Sequence, residues 1–240
     1  MNYFVSLHAK FKENHIKMSK KKLKNQVNEF DETLAASRSF YEKNKNAILY
    51  GGGGLLFIII AVLLIHQFYI TPRNNRANES IFYAEQAFME GNYDKALNGD
   101  GANMGFLNVI DEFGNTKAGN IACLYAAKCY AATEKYQDAI DMLNKFDGCG
   151  DAMISPAAIA LKGNCYAELG ENEKAVEFLV KAAKQADNNI ISPTCLLQAG
   201  QIYMSLGQND KALDCFNQIK SKYQQSNIYY EIDKYIEAAQ

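Results

Sequence analysis

Four short segments of this chain echo one another: "EGNYDKAL", "TEKYQDAI", "LGENEKAV" and "LGQNDKAL". Their shared alanines, Ala96, Ala139, Ala175 and Ala212, lie 43, 36 and 37 residues apart. Repetition at this period specifies an array of stacked helical units, not a closed globule. Twelve residues before each alanine stands another small residue: Ala84, Ala127, Gly163 and Gly200. Small side chains there let two antiparallel helices approach closely. Tyr130, Tyr166 and Tyr203, three residues further on, fill the space beside them. Between the helices lie Gly91, Gly170 and Gly207, where helix termination favours a residue tolerant of positive φ. Glu134 takes that place in the second unit.

The order of small residue, aromatic, glycine, alanine and large apolar residue resembles the tetratricopeptide repeat family over roughly Asn78 to Gln224. The resemblance implies an all-α solenoid of about four helix pairs, over residues 78–116, 120–152, 156–188 and 193–225. The first unit departs from the pattern: it has Ala87 in place of tyrosine and an insertion, "NGDGANM", before Phe106 and Leu107. Pro156 and Pro193 follow "IS" near the start of a helix, where proline is tolerated. Residues 226–240 carry Ile228, Ile232, Tyr235 and Ile236 at helical spacing and read as a cap over the last repeat.

Stacked repeats form a concave groove lined by their first helices. The pattern projects Ile81, Glu85, Phe88, Leu124, Lys128, Ala160, Asn164, Leu197, Gln201 and Met204 onto that face. Family members that grip a C-terminal carboxylate use several lysines and asparagines there. Here only Lys128 and Asn164 qualify, so a helix or an extended segment is the better-suited ligand.

Ahead of the repeats, "YGGGGLLFIIIAVLLIH" runs four glycines into eleven apolar residues. A phosphate loop needs Gly-Lys-Ser/Thr, and Gly54 is followed by Leu55 and Leu56. A secretory signal lies close to the N-terminus and ends in a cleavage site, and neither holds here. Residues 47–70 are uncharged and, as a helix rising about 1.5 Å per residue, reach across a hydrocarbon core of about 30 Å. They read as a single transmembrane helix, ended by Pro72, with 71–77 as a linker. Residues 1–46 hold ten Lys/Arg against five Asp/Glu, so the positive-inside rule puts the N-terminus in the cytoplasm and the repeats across the membrane, in the periplasm of a bacterium. Leu23, Val27, Phe30, Leu34 and Tyr41 suggest one amphipathic helix over 23–41, for the inner leaflet or a partner; a plain polybasic topology determinant fits equally. "MSKKKLKNQVNEF" at Met18 reads like a natural start, making 1–17 an upstream extension. Gly51, Gly52, Gly53 and Gly54 bare a smooth helix face that invites another transmembrane helix, or they are a soft start to the span.

Chemistry is scarce. Histidines occur only at positions 8, 15 and 66, so the repeats lack the usual general base and metal ligand. None of the six cysteines forms a Cys-x-x-Cys, and five fall in expected helices as small hydrophobes, with disulfides left open. Acid pairs such as Asp111–Glu112 and Glu171–Glu173 lie beside turns as solvated charge. Residues 71–240 hold fifteen Lys/Arg against twenty-two Asp/Glu, a poor match for nucleic acid. No catalytic, metal or cofactor site and no small-molecule substrate is expected.

A basic arm, one transmembrane helix and exported degenerate repeats together resemble the YfgM-like ancillary subunits of the bacterial Sec translocon. That resemblance implies a non-enzymatic scaffold that meets translocon subunits, periplasmic chaperones or exported chains. The alternative is a coordinator of cell division or envelope assembly built on the same repeats.

Overall fold

The structure is a computed structural model that describes the backbone of residues 2–240 and the side chains of Phe30 and of residues 32–240. The chain divides into two units, one ending at Phe68 and the other spanning Tyr69–Gln240.

The first unit is built on one helix, α1 (Asn2–Ile65). Helicity follows from the absence of proline and the short turn-to-turn spacing of apolar residues. The side chains of Leu23 and Val27 in the expected amphipathic face lie outside the described residues, as does the side chain of Met18. Phe30, Leu34 and Tyr41 are exposed. Among the described residues, one helical stretch is long and apolar enough to cross a membrane, and it contains Leu55–Ile65. Every large apolar side chain of that run is exposed, so none of the described residues covers it. A methyl group added at Gly51, Gly52, Gly53 or Gly54 would meet no atom within 4 Å.

The second unit is a row of helix pairs. After a π-helical turn at His66–Ile70 come α2 (Thr71–Met89), α3 (Tyr93–Asn98) and α4 (Phe106–Phe113). Then follow α5 (Lys117–Ala132) with α6 (Tyr136–Lys145), and α7 (Ile154–Glu168) with α8 (Asn172–Ala186). The last pair is α9 (Ile191–Ser205) with α10 (Asn209–Lys222), covered by a 3₁₀ turn (Asn227–Glu231) and α11 (Ile232–Ala238). Ile232 is fully buried, with Ile228, Tyr235 and Ile236 packed on the same cluster.

Two boundaries differ from the expectation. Pro72 does not end a helix: it sits in the first turn of α2, directly after the π-helical turn at His66–Ile70, where the backbone stays helical. Residues 71–77 are therefore helical, not a linker. Ala77 is fully buried, and Arg73 donates to the Glu112 carbonyl (2.5 Å) and twice to the Asn115 side-chain oxygen (3.0 and 3.2 Å) at the far end of α4.

The turns inside the pairs share one geometry. Gly91, Glu134, Gly170 and Gly207 have φ of +75°, +59°, +76° and +70°. The following amide in each case returns to a carbonyl five residues back: Asn92 to Ala87, Lys135 to Tyr130, Glu171 to Tyr166 and Gln208 to Tyr203, all at 2.9 Å. This is the Schellman closure, which pairs carbonyls that a helix end leaves free. Glu134 is the one non-glycine residue in the set, and a Cβ there is strained. Glu134→Gly is expected to raise stability by up to about 1 kcal/mol, since relief of strain exceeds the entropy lost by glycine. Urea denaturation checks it, and a drop in the midpoint would contradict it.

The insertion in the first unit splits its second helix. Gly99 (φ +80°) breaks α3, and an antiparallel bridge to Met104 closes the intervening loop. Any side chain at Gly99 or Gly105 would run into backbone, at 2.2 Å from the Asn103 oxygen and 2.3 Å from the Leu97 oxygen. Asp100 ties the loop: it accepts the Asn103 N–H (2.8 Å) and pairs with Lys95 (3.1 Å). The Asn103 amide and then the Lys95 ammonium hold its carboxyl down to about 2.

Candidate functional site

The first helices α2, α5, α7 and α9 lie side by side, each touching the next. Their outward faces are the surface projected for binding, and its residues divide into three groups. Ile81 and Leu124 are corrected: both are buried, Ile81 with Ala118 and Ala122 of α5, Leu124 with Ala158 of α7. They hold neighbouring units together and are not open to a ligand. Phe88, Ala160, Leu197 and Met204 are half-buried and pack against the cores below. Phe88 meets Tyr93 and Tyr125 at ring-centroid distances of 5.7 and 5.3 Å.

The polar members form two separate places. At the first, Glu85 is half-buried and Lys128 is exposed, with its ammonium 5.3 Å from the Tyr125 ring. Burial raises the Glu85 carboxyl, and burial followed by the Glu85 charge raises the Tyr125 phenol. At the second, Asn164 of α7 and Gln201 of α9 share an open depression of 410 Å³ with Ala167, Glu168, Gln198, Ile202 and Ser205. Three side-chain amides and a hydroxyl on two parallel helices offer alternating donors and acceptors. An extended backbone has the same alternation, and an apolar rim from Ala167 and Ile202 suits its side chains. No stored charge is required. Among the described residues no three His, Cys, Asp or Glu side chains are placed to hold a metal ion.

Sequence reasoning missed how α7 and α9 are started. Asp151 accepts the Met153 and Ile154 amides, and Asn188 accepts those of Ile190 and Ile191 at 3.0 and 2.8 Å. Four residues on, Ser155 and Ser192 accept the Cys149 and Asn188 amides at 2.8 and 3.1 Å. The signal was present as "DAMISP" and "NNIISP": a capping Asp/Asn three residues before the "IS" that precedes proline. These caps fix the entry angle of both helices that carry the amide depression.

All six cysteines are free, five of them buried and Cys149 exposed. Burial pushes the Cys129 thiol up to about 12 and Cys165, Cys195 and Cys215 up to about 11. A native-state maleimide assay is expected to add one label, at Cys149, and further labels only on unfolding. The unfolded thiols titrate near 9.0, below their folded values. This contribution to stability is therefore intact below pH 9 and is lost as pH rises from there through 11–12. Thermal melts between pH 8 and 11 read the decline.

Two tetratricopeptide repeat models match the chain, at residues 156–189 and 194–226. No curated protein matches it. Among solved structures, that of MamA protein is 21% identical, with a TM-score of 0.50, covering 68% of this chain and 85% of that one. The nearly identical TPR-like repeats of a kinesin light chain from Podosopora anserina are 15% identical, with a TM-score of 0.52, covering 68% and 84%. The likeness is one of fold. Repeats of this kind serve as non-enzymatic scaffolds for protein–protein interaction.

Proposed function

We propose that this tetratricopeptide repeat protein is a membrane-tethered scaffold that receives extended protein segments on the outward faces of α7 and α9. The observation that carries the reading is the Asn164–Gln198–Gln201 depression, three side-chain amides with Glu168 as the one charged group in its lining, on helices held by matched caps. Uncharged amides bind main chain without selecting one charge pattern, which suits a surface that meets many different sequences. The exposed run Leu55–Ile65 supports a single-pass anchor, and the basic arm before it supports a cytoplasmic N-terminus with exported repeats. In a bacterium the segments received would be exported chains or chaperones beside the Sec translocon.

A photo-crosslinking residue in place of Gln201, in native membranes, tests the groove. It is expected to capture exported chains or translocon subunits, whereas the same probe at exposed Lys184 on α8 captures few. Equal capture from both positions would remove the proposal. A periplasmic reporter fused after Gln240 tests topology separately, and an inactive fusion would reverse the orientation without touching the groove.

A further inference from the structure

A second place on α7 points away from the amide depression. Lys162 precedes Asn164 by two residues, about 200° around the helix, and so occupies the opposite flank. Its ammonium lies 4.6 Å from the centre of the Phe178 ring, and Lys181 brings a second ammonium within 6.0 Å of the same ring. Phe178 is fixed from behind by Tyr166, stacked at 5.3 Å with 15° between planes. Beside the two lysines opens a cavity of 230 Å³, with Leu143, Phe146, Ala158 and Ile159 in its wall and Gln185 one turn beyond Lys181.

The charges here are unbalanced. Lys162 donates to the Asn144 side-chain oxygen, a neutral partner, and no carboxylate pairs with it or with Lys181 among the described residues. Asp147 also lines the cavity but forms no ion pair with either. The contrast with Lys174 is direct. That lysine stands 5.1 Å from the Tyr166 ring and is paired with Glu171 at 2.5 Å. Where the lysines of the array are displaced in pKa, hydrogen bonding to an acid raises Lys174, Lys220 and Lys234. Burial and then the Lys181 charge lower Lys162. Two ammoniums sharing one aromatic ring repel each other, and an anion placed between them is attracted by both.

We propose that the cavity between α6, α7 and α8 is a second binding site, taking an acidic side chain and an adjacent apolar side chain from a partner polypeptide. The carboxylate bridges Lys162 and Lys181 and accepts from Gln185. The apolar neighbour fills the wall of Leu143, Phe146 and Ile159. This site faces away from the amide depression and does not depend on it. A cavity of this size admits side chains and not a chain in cross-section, so it reads a short acidic–apolar motif.

The test uses the full chain in nanodiscs of zwitterionic lipid and two dye-labelled peptides, Ser-Gly-Phe-Glu-Leu-Glu-Gly-Ser and its Gln counterpart. Fluorescence anisotropy is expected to show the Glu peptide binding at least about tenfold more tightly, the size of a charge-assisted contact. Lys162→Met and Lys181→Met are each expected to remove that preference. Lys162→Met should also leave the melting temperature unchanged or raised, because it removes an unpaired charge and keeps the stem over Phe178. Asn164→Ala with Gln201→Ala should leave Glu-peptide binding as it was. Equal affinity for the two peptides would overturn the proposal. So would Lys162→Met binding the Glu peptide like the parent, or melting lower with binding intact, which would make the lysine a structural group. Loss of binding through Asn164 and Gln201 alone would move the peptide to the other flank and leave the amide groove standing.

Discussion

Phe106→Ala is expected to lower the stability of the repeat array by about 3–5 kcal/mol, a large fraction of the about 5–15 kcal/mol of a typical domain. Phe106 is fully buried at the start of α4 and stacks on Tyr125 at 5.2 Å with 7° between ring planes. Tyr125 in turn takes the edge of Phe88 from α2, so one ring joins three helices. The residues around it cannot collapse into the space left behind. Gly105, just before it, lies against the Leu97 backbone, and Gly119 lies against that of Phe113. Backbone in contact with backbone transmits the void without filling it. Denaturant titration of the full chain in detergent measures the loss, and a change below about 1 kcal/mol would show that the first unit tolerates the cavity.

Gly200→Ala is the second large effect, and it runs in the other direction, from too little space. An added Cβ at Gly200 would stand 2.3 and 2.7 Å from two carbons of the Phe216 ring, itself fully buried. Overpacking of this kind costs about 1–3 kcal/mol or more, while the gain in helix propensity returns about 1. Gly200→Val sharpens the test, since its branches meet the same ring and it gains less helix propensity than alanine. Phe216→Leu alone opens a cavity; combined with Gly200→Ala it is expected to recover part of both losses. A double-mutant cycle with a coupling of about 1 kcal/mol or greater supports this, and strict additivity would contradict it. The pairing also explains why small residues differ between units. Gly163 faces Leu179 and the Ala175 carbonyl, at 2.9 and 3.1 Å, and is nearly as constrained. Ala84 and Ala127 occupy the same place in the first two units, each buried to within about a percent of full cover.

The periodic residues were legible because repetition fixes geometry four times over. The Ala139 and Gly170 positions, and the left-handed turn at Glu134, follow from the spacing alone. What stayed hidden depends on what lies beside the repeat. The insertion was visible as "NGDGANM", but its division of one helix into α3 and α4 depends on Gly99 meeting Asn103 through space. The helical residues 71–77 were hidden because Pro72 marks both a helix end and a helix first turn, and only the burial of Ala77 decides between them. Ile81 and Leu124 carry the groove pattern, yet the next unit's first helix covers them. Lys162 drew no attention as one lysine among many; its lack of an acid partner is a property of three helices.

The buried side chains do not form one continuous core. Tyr130 and Met142 pack against both the first cluster and the middle one, so those two are joined. The last cluster shares no side chain with the middle one: Ile159 and Ala160 turn to one side of α7, and Ala158, Leu161, Cys165 and Tyr166 turn to the other. Helix α7 is thus the element on which the two clusters meet, joined across it by the Tyr166–Phe178 stack and the Gly163–Leu179 approach. Amide hydrogen exchange is expected to resolve two blocks, residues 71–146 and residues from α8 onward, with protection that differs between them and changes sign of slope at α7. A polypeptide held on either flank of α7 would tie the blocks together and slow exchange in both. Occupancy would then be reported far from the contact, as a gain in cooperativity.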